Sequence, residues 1–169
     1  GGIGFDVADY LTHPEDSNDA EIKEYLNTWG IDQTYRSPGG LSEAGLQIKP
    51  AKRQIFLLQR SEGKVGDRLG KTTGWILRLI LKHRGVQMIS SVEYRRVDSK
   101  GIYIRVNKKD RLLEVDNVII CAGQEPLQDL YDPLFRQDVP VYRIGGAKRA
   151  SGLDAKRAID EGTRLAAEL

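Results

Sequence analysis

The chain carries one cysteine, Cys121, in 169 residues. A lone thiol excludes a disulfide within the chain and any cysteine-ligated metal site built from this chain alone. Histidine is scarce too, and His13 and His83 stand too far apart for a metal-ligand spacing. Neither sign of charge is in excess: 26 basic residues face 24 acidic ones, for a net charge of +2. The basic residues are scattered without aromatic interleaving, so nothing argues for nucleic-acid or membrane binding. No apolar run approaches the roughly 18 residues of a membrane span, and no leader pattern is visible. These absences predict a soluble protein of a reducing, cytoplasmic compartment. What is present suffices for a real core, with 40% of the residues hydrophobic.

The stretch that organises the rest is Arg53 to Arg60, RQIFLLQR. Ile55, Phe56, Leu57 and Leu58 are apolar without a break, which suits a strand buried on both faces of a helix-covered parallel sheet. Its end matters most. Where a dinucleotide-binding fold usually places an acid to hold a ribose 2′-hydroxyl, this chain has Gln59, Arg60 and Ser61. An arginine there pairs with a 2′-phosphate that an acid would repel.

Upstream, the chain opens with GGIGFDVADYL. Gly1, Gly2 and Gly4 have the spacing of the later part of a glycine-rich dinucleotide turn, which lets backbone approach a pyrophosphate at a helix N-terminus. Phe5, Val7, Ala8, Tyr10 and Leu11 fit the helix that follows. The strand expected before such a turn is absent from the sequence. PEDSND reads as a polar turn with Asp19 as a helix cap, and Ile22, Tyr25, Leu26 and Trp29 have helical spacing ended by Gly30. RSPGGLSEAG reads as a surface loop.

Downstream of Arg60, SEGKVGDRLGKTTGW reads as a mobile basic loop with Lys64, Arg68 and Lys71. It is either an ordinary strand-to-helix connection or a lid that brings charge to a nucleotide's phosphates. Thr72 or Thr73 is the expected cap of a helix whose apolar face is Trp75, Ile76, Leu79 and Ile80. Val86 to Ile89 predicts a short buried strand. VEYRRV, IYIRV and LLEVD alternate in polarity, are linked by DSKG and NKKD turns, and predict an antiparallel meander. NVIIC (117–121) predicts another buried strand, Pro126 a helix start, and VYRIGG (141–146) a last strand. In the closing helix, Leu153, Ala158, Leu165 and Ala166 are expected to pack inward.

GGIGFDVADYL, RLGKTTGWILR, DNVIICAGQEP and IGGAKRASGLDAKRAIDEGTRLAAEL, in that order, resemble the C-terminal region of the bacterial NADPH-dependent 2,4-dienoyl-CoA reductases. More broadly, the chain is similar to the trimethylamine dehydrogenase and old-yellow-enzyme-like flavoproteins. The resemblance runs from the first residue to the last. It implies an α/β fold: a Rossmann-like nucleotide-binding domain with a mostly parallel central sheet flanked by helices, plus a small antiparallel β meander. Residues 1–122 would form the NADP(H)-binding domain without its first strand, and residues 123–169 would return to an FAD-binding domain. In the family, NADPH reduces FAD, and electrons pass through an iron–sulfur cluster to FMN in a (β/α)8 barrel, which reduces the dienoyl-CoA during β-oxidation of unsaturated fatty acids.

By that resemblance Gly1, Gly2, Gly4, Gln59 and Arg60 belong to an NADPH site; the lid reading of the basic loop adds Lys71 as a further cofactor-binding candidate. Cys121, Ala122, Gly123 and Gln124 would form the turn back toward FAD, and Ile144, Gly145, Gly146 and Ala147 a flavin-contacting segment. Lys148 and Arg149 stand where the family has an acid. The barrel, the cluster cysteines and the first FAD-binding unit are not in this sequence. The partners implied are NADP(H) and the rest of the parent flavoenzyme; the chain alone, its glycine turn incomplete, is expected to bind NADP(H) weakly at most and not to reduce a dienoyl-CoA. No residue reads as a general acid or nucleophile, and Cys121 reads as a small core residue. Two other readings stay open: a nucleotide-binding module of a related reductase acting on an amine or another enone, and a non-catalytic α/β interaction domain.

Overall fold

The computed structural model describes residues 1–14, 21–152 and 154–169. They form two compact units, Gly1–Cys121 and Ala122–Leu169. The expected cap Asp19 and the inward-facing Leu153 lie outside the described residues.

The fold of the first unit is α/β. Helix α1 (Gly2–Thr12) buries Gly4, Phe5, Ala8 and Thr12, a stripe at three- and four-residue spacing that marks one helical face. The buried Thr12 hydroxyl is satisfied, donating to the Ala8 carbonyl at 2.7 Å. Helix α2 spans Ile22–Thr28. Gly30 ends it as the sequence predicts, with the N–H groups of Gly30 and Ile31 returning to the carbonyls of Asn27 and Leu26.

Strand β1 is Phe56–Leu58, followed by helix α3 (Gly74–His83) and strand β2 (Gln87–Ile89). β1 and β2 are parallel, with Phe56 opposite Gln87, Leu57 opposite Met88 and Leu58 opposite Ile89. A helix crossing between two parallel strands makes this a βαβ unit. Alternation sorts the strand residues. Ile55, Leu57 and Met88 pack with Phe5, Ala8, Val65, Leu81 and Val86. Phe56, Leu58 and Ile89 pack with Val92, Ile102, Ile104 and Leu113. RQIFLLQR is thus covered on both faces, as an unbroken apolar run requires: helices lie on one side and the meander on the other.

The meander is β3 (Glu93–Asp98), β4 (Gly101–Val106) and β5 (Lys109–Leu113), in that order in one antiparallel sheet. A register irregularity separates Tyr94 and Arg96 in β3. Asn107 and Lys108 both have positive φ (51° and 64°), the conformation of a two-residue hairpin turn that follows strand twist. Two charged residues bind α3 to α1. Arg84 is paired with Asp9 at 2.6 Å, and the same guanidinium nitrogen reaches the Asp9 carbonyl at 3.2 Å.

Several expectations are corrected. The buried stripe of α3 is Gly74 and Leu81, with Leu77 against the same core, while Trp75 is 54% exposed. NVIIC is not a strand among the described residues. A parallel strand exists only through its neighbours' ladder, and without one Val118, Ile119 and Ile120 remain exposed. In the second unit, VYRIGG gives no strand. Its glycines open helix α5 (Gly145–Lys148), and the helix after Pro126 begins later, as α4 (Tyr131–Phe135). The closing helix α6 is Ala155–Glu168, capped by Asp154, whose carboxylate accepts the Arg157 N–H at 2.8 Å. Leu165 and Ala158 are half-buried, but Ala166 is exposed.

Candidate functional site

The glycines at the start of α1 divide into two kinds. A Cβ on Gly4 would sit 3.4 Å from Leu57 Cδ1 and 3.7 Å from Cys121 Cβ, so Gly4 is where the helix rests on β1. A Cβ on Gly1 or Gly2 would meet nothing within 4 Å. That leaves the backbone at the helix start open to a close-approaching group. No acidic side chain occupies the first turn of α1, so the partial positive charge of the helix N-terminus is uncompensated there.

The end of β1 is closely tied. The Gln59 N–H donates to Ile89 O at 2.9 Å, and the Gln59 carbonyl accepts from Val92 N–H at 3.1 Å. The Gln59 side chain donates to Ser61 O at 3.2 Å and accepts the Gly66 N–H at 3.3 Å. Ser61 O also takes the Ser91 N–H at 3.2 Å. Arg60 sits between these anchors with its side chain exposed. Its charge acts on Tyr94 of β3: burial pushes the Tyr94 phenol up from its ordinary value, and Arg60 opposes that rise.

The loop after Arg60 is not the mobile segment the sequence suggests. Val65 is 7% exposed and belongs to the core. Gly66 lies on the Phe5 ring so closely that a Cβ could not be accommodated. Its carbonyl accepts from Arg78 Nη1 at 2.7 Å. Phe5 is in the first turns of α1, so this contact brings the loop to the glycine-rich helix start. Gly4 and Phe5 therefore seat the start of α1 on Leu57 and Gly66, and Gln59 ties the carboxyl end of β1 to the same Gly66. In open α/β sheets, the carboxyl end of the strands is the edge where ligands bind.

Lys71 is exposed in the turn before α3. Thr73 is the N-cap residue of that helix, though its hydroxyl makes no capping bond. Among the described residues, Arg60, Lys64, Arg68 and Lys71 have no carboxylate partner within salt-bridge distance. Arg84, Arg95, Arg96, Arg105, Arg157 and Arg164 all have one. A hollow of about 400 Å³ on the meander shows the contrast. Its Arg105 is held by Asp110 at 2.6 Å, and its Arg96 stacks over the Tyr103 ring at 4.1 Å. That hollow offers an anion no unpaired charge.

The remaining predicted residues belong to the second unit. Gly123 is exposed with φ of 131°. Ile144 precedes α5, and Gly145 is buried. The Gly145 N–H donates to Glu161 Oε2 at 2.7 Å. The Ala147 carbonyl accepts from Gln128 Nε2 at 2.6 Å, and Gly146 follows Gly145 in the same short helix. A carboxylate thus already holds the amide nearest to where a flavin contact is expected. As arranged, these residues do not fit an anionic group.

The sequence reading missed Gly66, Ser91 and Tyr94 as neighbours of the end of β1, and Phe5 and Arg78 as residues that hold the Gly66 loop from outside the site. Phe5 and Gly66 had a weak signal, an aromatic beside a glycine turn and a glycine inside a loop. Arg78, Ser91 and Tyr94 had none, since their roles depend on which elements pack together.

No protein-family model matches the chain. It is 28% identical over 131 residues to a mercuric reductase of Staphylococcus aureus, a match covering 73% of this chain and 22% of that protein. A mercuric reductase of Bacillus cereus is 22% identical over 130 residues, covering 74% and 19%. Among solved structures, a 2-naphthoyl-CoA reductase in complex with 2-naphthoyl-CoA superposes with a TM-score of 0.57 at 18% identity, over 69% of this chain and 18% of that one. That likeness shows the α/β fold. The chain spans about a fifth of the length of the proteins it matches, and its similarity is to a segment of oxidoreductases.

Proposed function

We propose that the chain is the nicotinamide-nucleotide-binding segment of an NAD(P)-dependent flavoprotein oxidoreductase, and that it binds NADPH at the carboxyl end of β1. The observation that carries this reading is the seating of α1 on β1 through Gly4, which joins two features in one βαβ unit. One is an open glycine backbone at the start of α1, and the other is an exposed arginine without a carboxylate partner at the end of β1. The residues fit a dinucleotide phosphate. The pyrophosphate lies over Gly1 and Gly2, whose missing side chains leave the approach clear. Gly4 keeps the helix close to the strand. Arg60 reads the 2′-phosphate, and Lys71, with Lys64 and Arg68, adds positive charge along the same edge. The reductase names of the relatives agree with this assignment.

When bound, NADPH supplies a hydride, and these residues hold and orient it. The finer proposal follows the sequence resemblance. The parent is an NADPH-dependent 2,4-dienoyl-CoA reductase of β-oxidation, with FAD as first electron acceptor and with FMN and an iron–sulfur cluster carried outside these residues. The residues expected from the resemblance to face FAD, Gly123 and Ile144 to Ala147, do not fit it as arranged, because Glu161 holds the Gly145 amide.

The test is calorimetric titration of the chain with NADPH and with NADH at low salt. Binding with a clear NADPH preference, lost on Arg60→Ala, is the expected result. Equal affinity for the two nucleotides, or binding of neither, would overturn the assignment.

A further inference from the structure

We propose that Gln59 is a positioning residue for 2′-phosphate discrimination and not a nucleotide ligand. This deepens the reading above and rests on it. Both ends of its side-chain amide are used inside the protein: Nε2 donates to Ser61 O at 3.2 Å and Oε1 accepts from Gly66 N–H at 3.3 Å. Its backbone is used as well, by Ile89 O at 2.9 Å and Val92 N–H at 3.1 Å. One of its two amide protons and one of its two oxygen lone pairs are thus committed inside the protein, which fixes the amide's orientation.

These bonds bracket the neighbouring residue. Arg60 lies between Gln59, held through backbone and side chain, and Ser61, whose carbonyl takes both Gln59 Nε2 and the Ser91 N–H. Ser91 adopts φ of 55°, a left-handed conformation that a non-glycine residue takes only where its surroundings impose it. Here it accompanies the N–H bond to Ser61. The backbone of Arg60 is therefore fixed while its guanidinium stands exposed. A charged side chain on a fixed base loses less entropy when it pairs with an anion, which is preorganisation.

Arg78 supplies an internal comparison. It holds the other side of Gly66, the carbonyl, at 2.7 Å, and touches neither Gln59 nor Ser61 among the described hydrogen bonds. Loosening Gly66 from the Arg78 side should free the loop without freeing Arg60.

The experiment uses 2′,5′-ADP and 5′-AMP, which differ only in the 2′-phosphate, titrated into the wild-type chain, Gln59→Met, Gln59→Leu and Arg78→Met. Amide hydrogen exchange is followed at Arg60, Ser61 and Gly66. The wild type should prefer 2′,5′-ADP. In the Gln59 variants that preference should fall by about fivefold, roughly one neutral hydrogen bond's worth of order. Affinity for 5′-AMP should stay within about twofold, and exchange at Ser61 and Gly66 should speed up. Arg78→Met should speed exchange at Gly66 and leave the preference intact. A preference unchanged in Gln59→Met and Gln59→Leu despite faster exchange would overturn the positioning role. So would an equal loss for both probes, which would mark general loosening. A wild type indifferent to the 2′-phosphate would overturn the nucleotide assignment itself, and this inference with it.

Discussion

Replacing Gly66 with alanine tests whether the basic loop is anchored or free. Two effects add at this position. Its φ of 77° lies in the left-handed region, where a side chain costs about 1–2 kcal/mol. The new Cβ would also overlap the Phe5 ring. A ring at a free surface would turn aside, but Phe5 is 1% exposed and enclosed by the helical core. Overpacking there costs about 1–3 kcal/mol. The sum is on the order of 2–5 kcal/mol, a large share of a small domain's stability. Gly63, in the same loop, separates the two contributions. It has φ of 86° with nothing within 4 Å of a built Cβ, so Gly63→Ala carries the backbone cost alone. Urea unfolding followed by tryptophan fluorescence, from Trp29 and Trp75, measures both variants against wild type. Gly66→Ala should be less stable than Gly63→Ala by about 1–3 kcal/mol. Adding Phe5→Leu should recover part of that difference, because the two sites share a contact. Equal midpoints for the two alanine variants would refute the anchored loop.

In the parent enzyme, Arg60→Ala should weaken NADPH by roughly tenfold or more, the scale of one lost charge-assisted hydrogen bond, with NADH little changed. Steady-state KM values for the two nucleotides read the difference. Leu81, fully buried in α3, should cost about 2–5 kcal/mol as Leu81→Ala in thermal or urea unfolding. Arg84→Met removes the pairing with Asp9 but keeps most of the apolar stem. It should destabilise the α1–α3 contact by about 1–3 kcal/mol, and a double-mutant cycle with Asp9→Asn should show coupling between the two. Asp32 predicts a pH dependence. Its carboxylate accepts from the Thr34 hydroxyl and from the N–H groups of Ser37, Thr34 and Arg36, and these bonds hold its pKa far below the ordinary value. A depressed folded pKa means that the turn's stabilisation is fully present above the unfolded carboxylate value of about 4 and is lost progressively as pH falls from there through the folded one, while the folded turn itself stays ionised until the lower value. Amide chemical shifts of Thr34, Arg36 and Ser37 should therefore hold steady through pH 4, about where an unperturbed aspartate titrates. A transition there would contradict the bonded turn.

Legibility in the sequence followed a physical division. Local signals were readable. The unbroken run at Ile55 to Leu58 gave β1, period-two alternation gave the meander, and Gly30 gave the end of α2. Gly4 was read with Gly1 and Gly2 as part of a phosphate turn, and its close packing on Leu57 was not legible. What depends on distant partners was likewise not readable. NVIIC has the composition of a buried strand, yet strand character lies in a ladder that its own residues do not encode. VYRIGG failed likewise, its glycines opening a short helix. On α3, Trp75 looked like a core residue and Leu81 fills the core, because the face that turns inward is set by where α1 lies. The place of Arg60 just past the end of β1 was legible from the apolar run before it. The hydrogen bonds that hold its backbone were not, since Ser91 and Gly66 reach it only through folding.

β1 has three residues, and its alternate side chains belong to opposite sides of the unit: Leu57 to the helical cluster, Phe56 and Leu58 to the cluster under the meander. A slip of one residue would send each of them to the wrong side at once. The strand therefore acts as a shared wall, and neither cluster can open without unlining the other. The helices and the meander should then melt as one cooperative unit, with slow-exchanging amides in β1, β2 and β4 disappearing together in native-state hydrogen exchange.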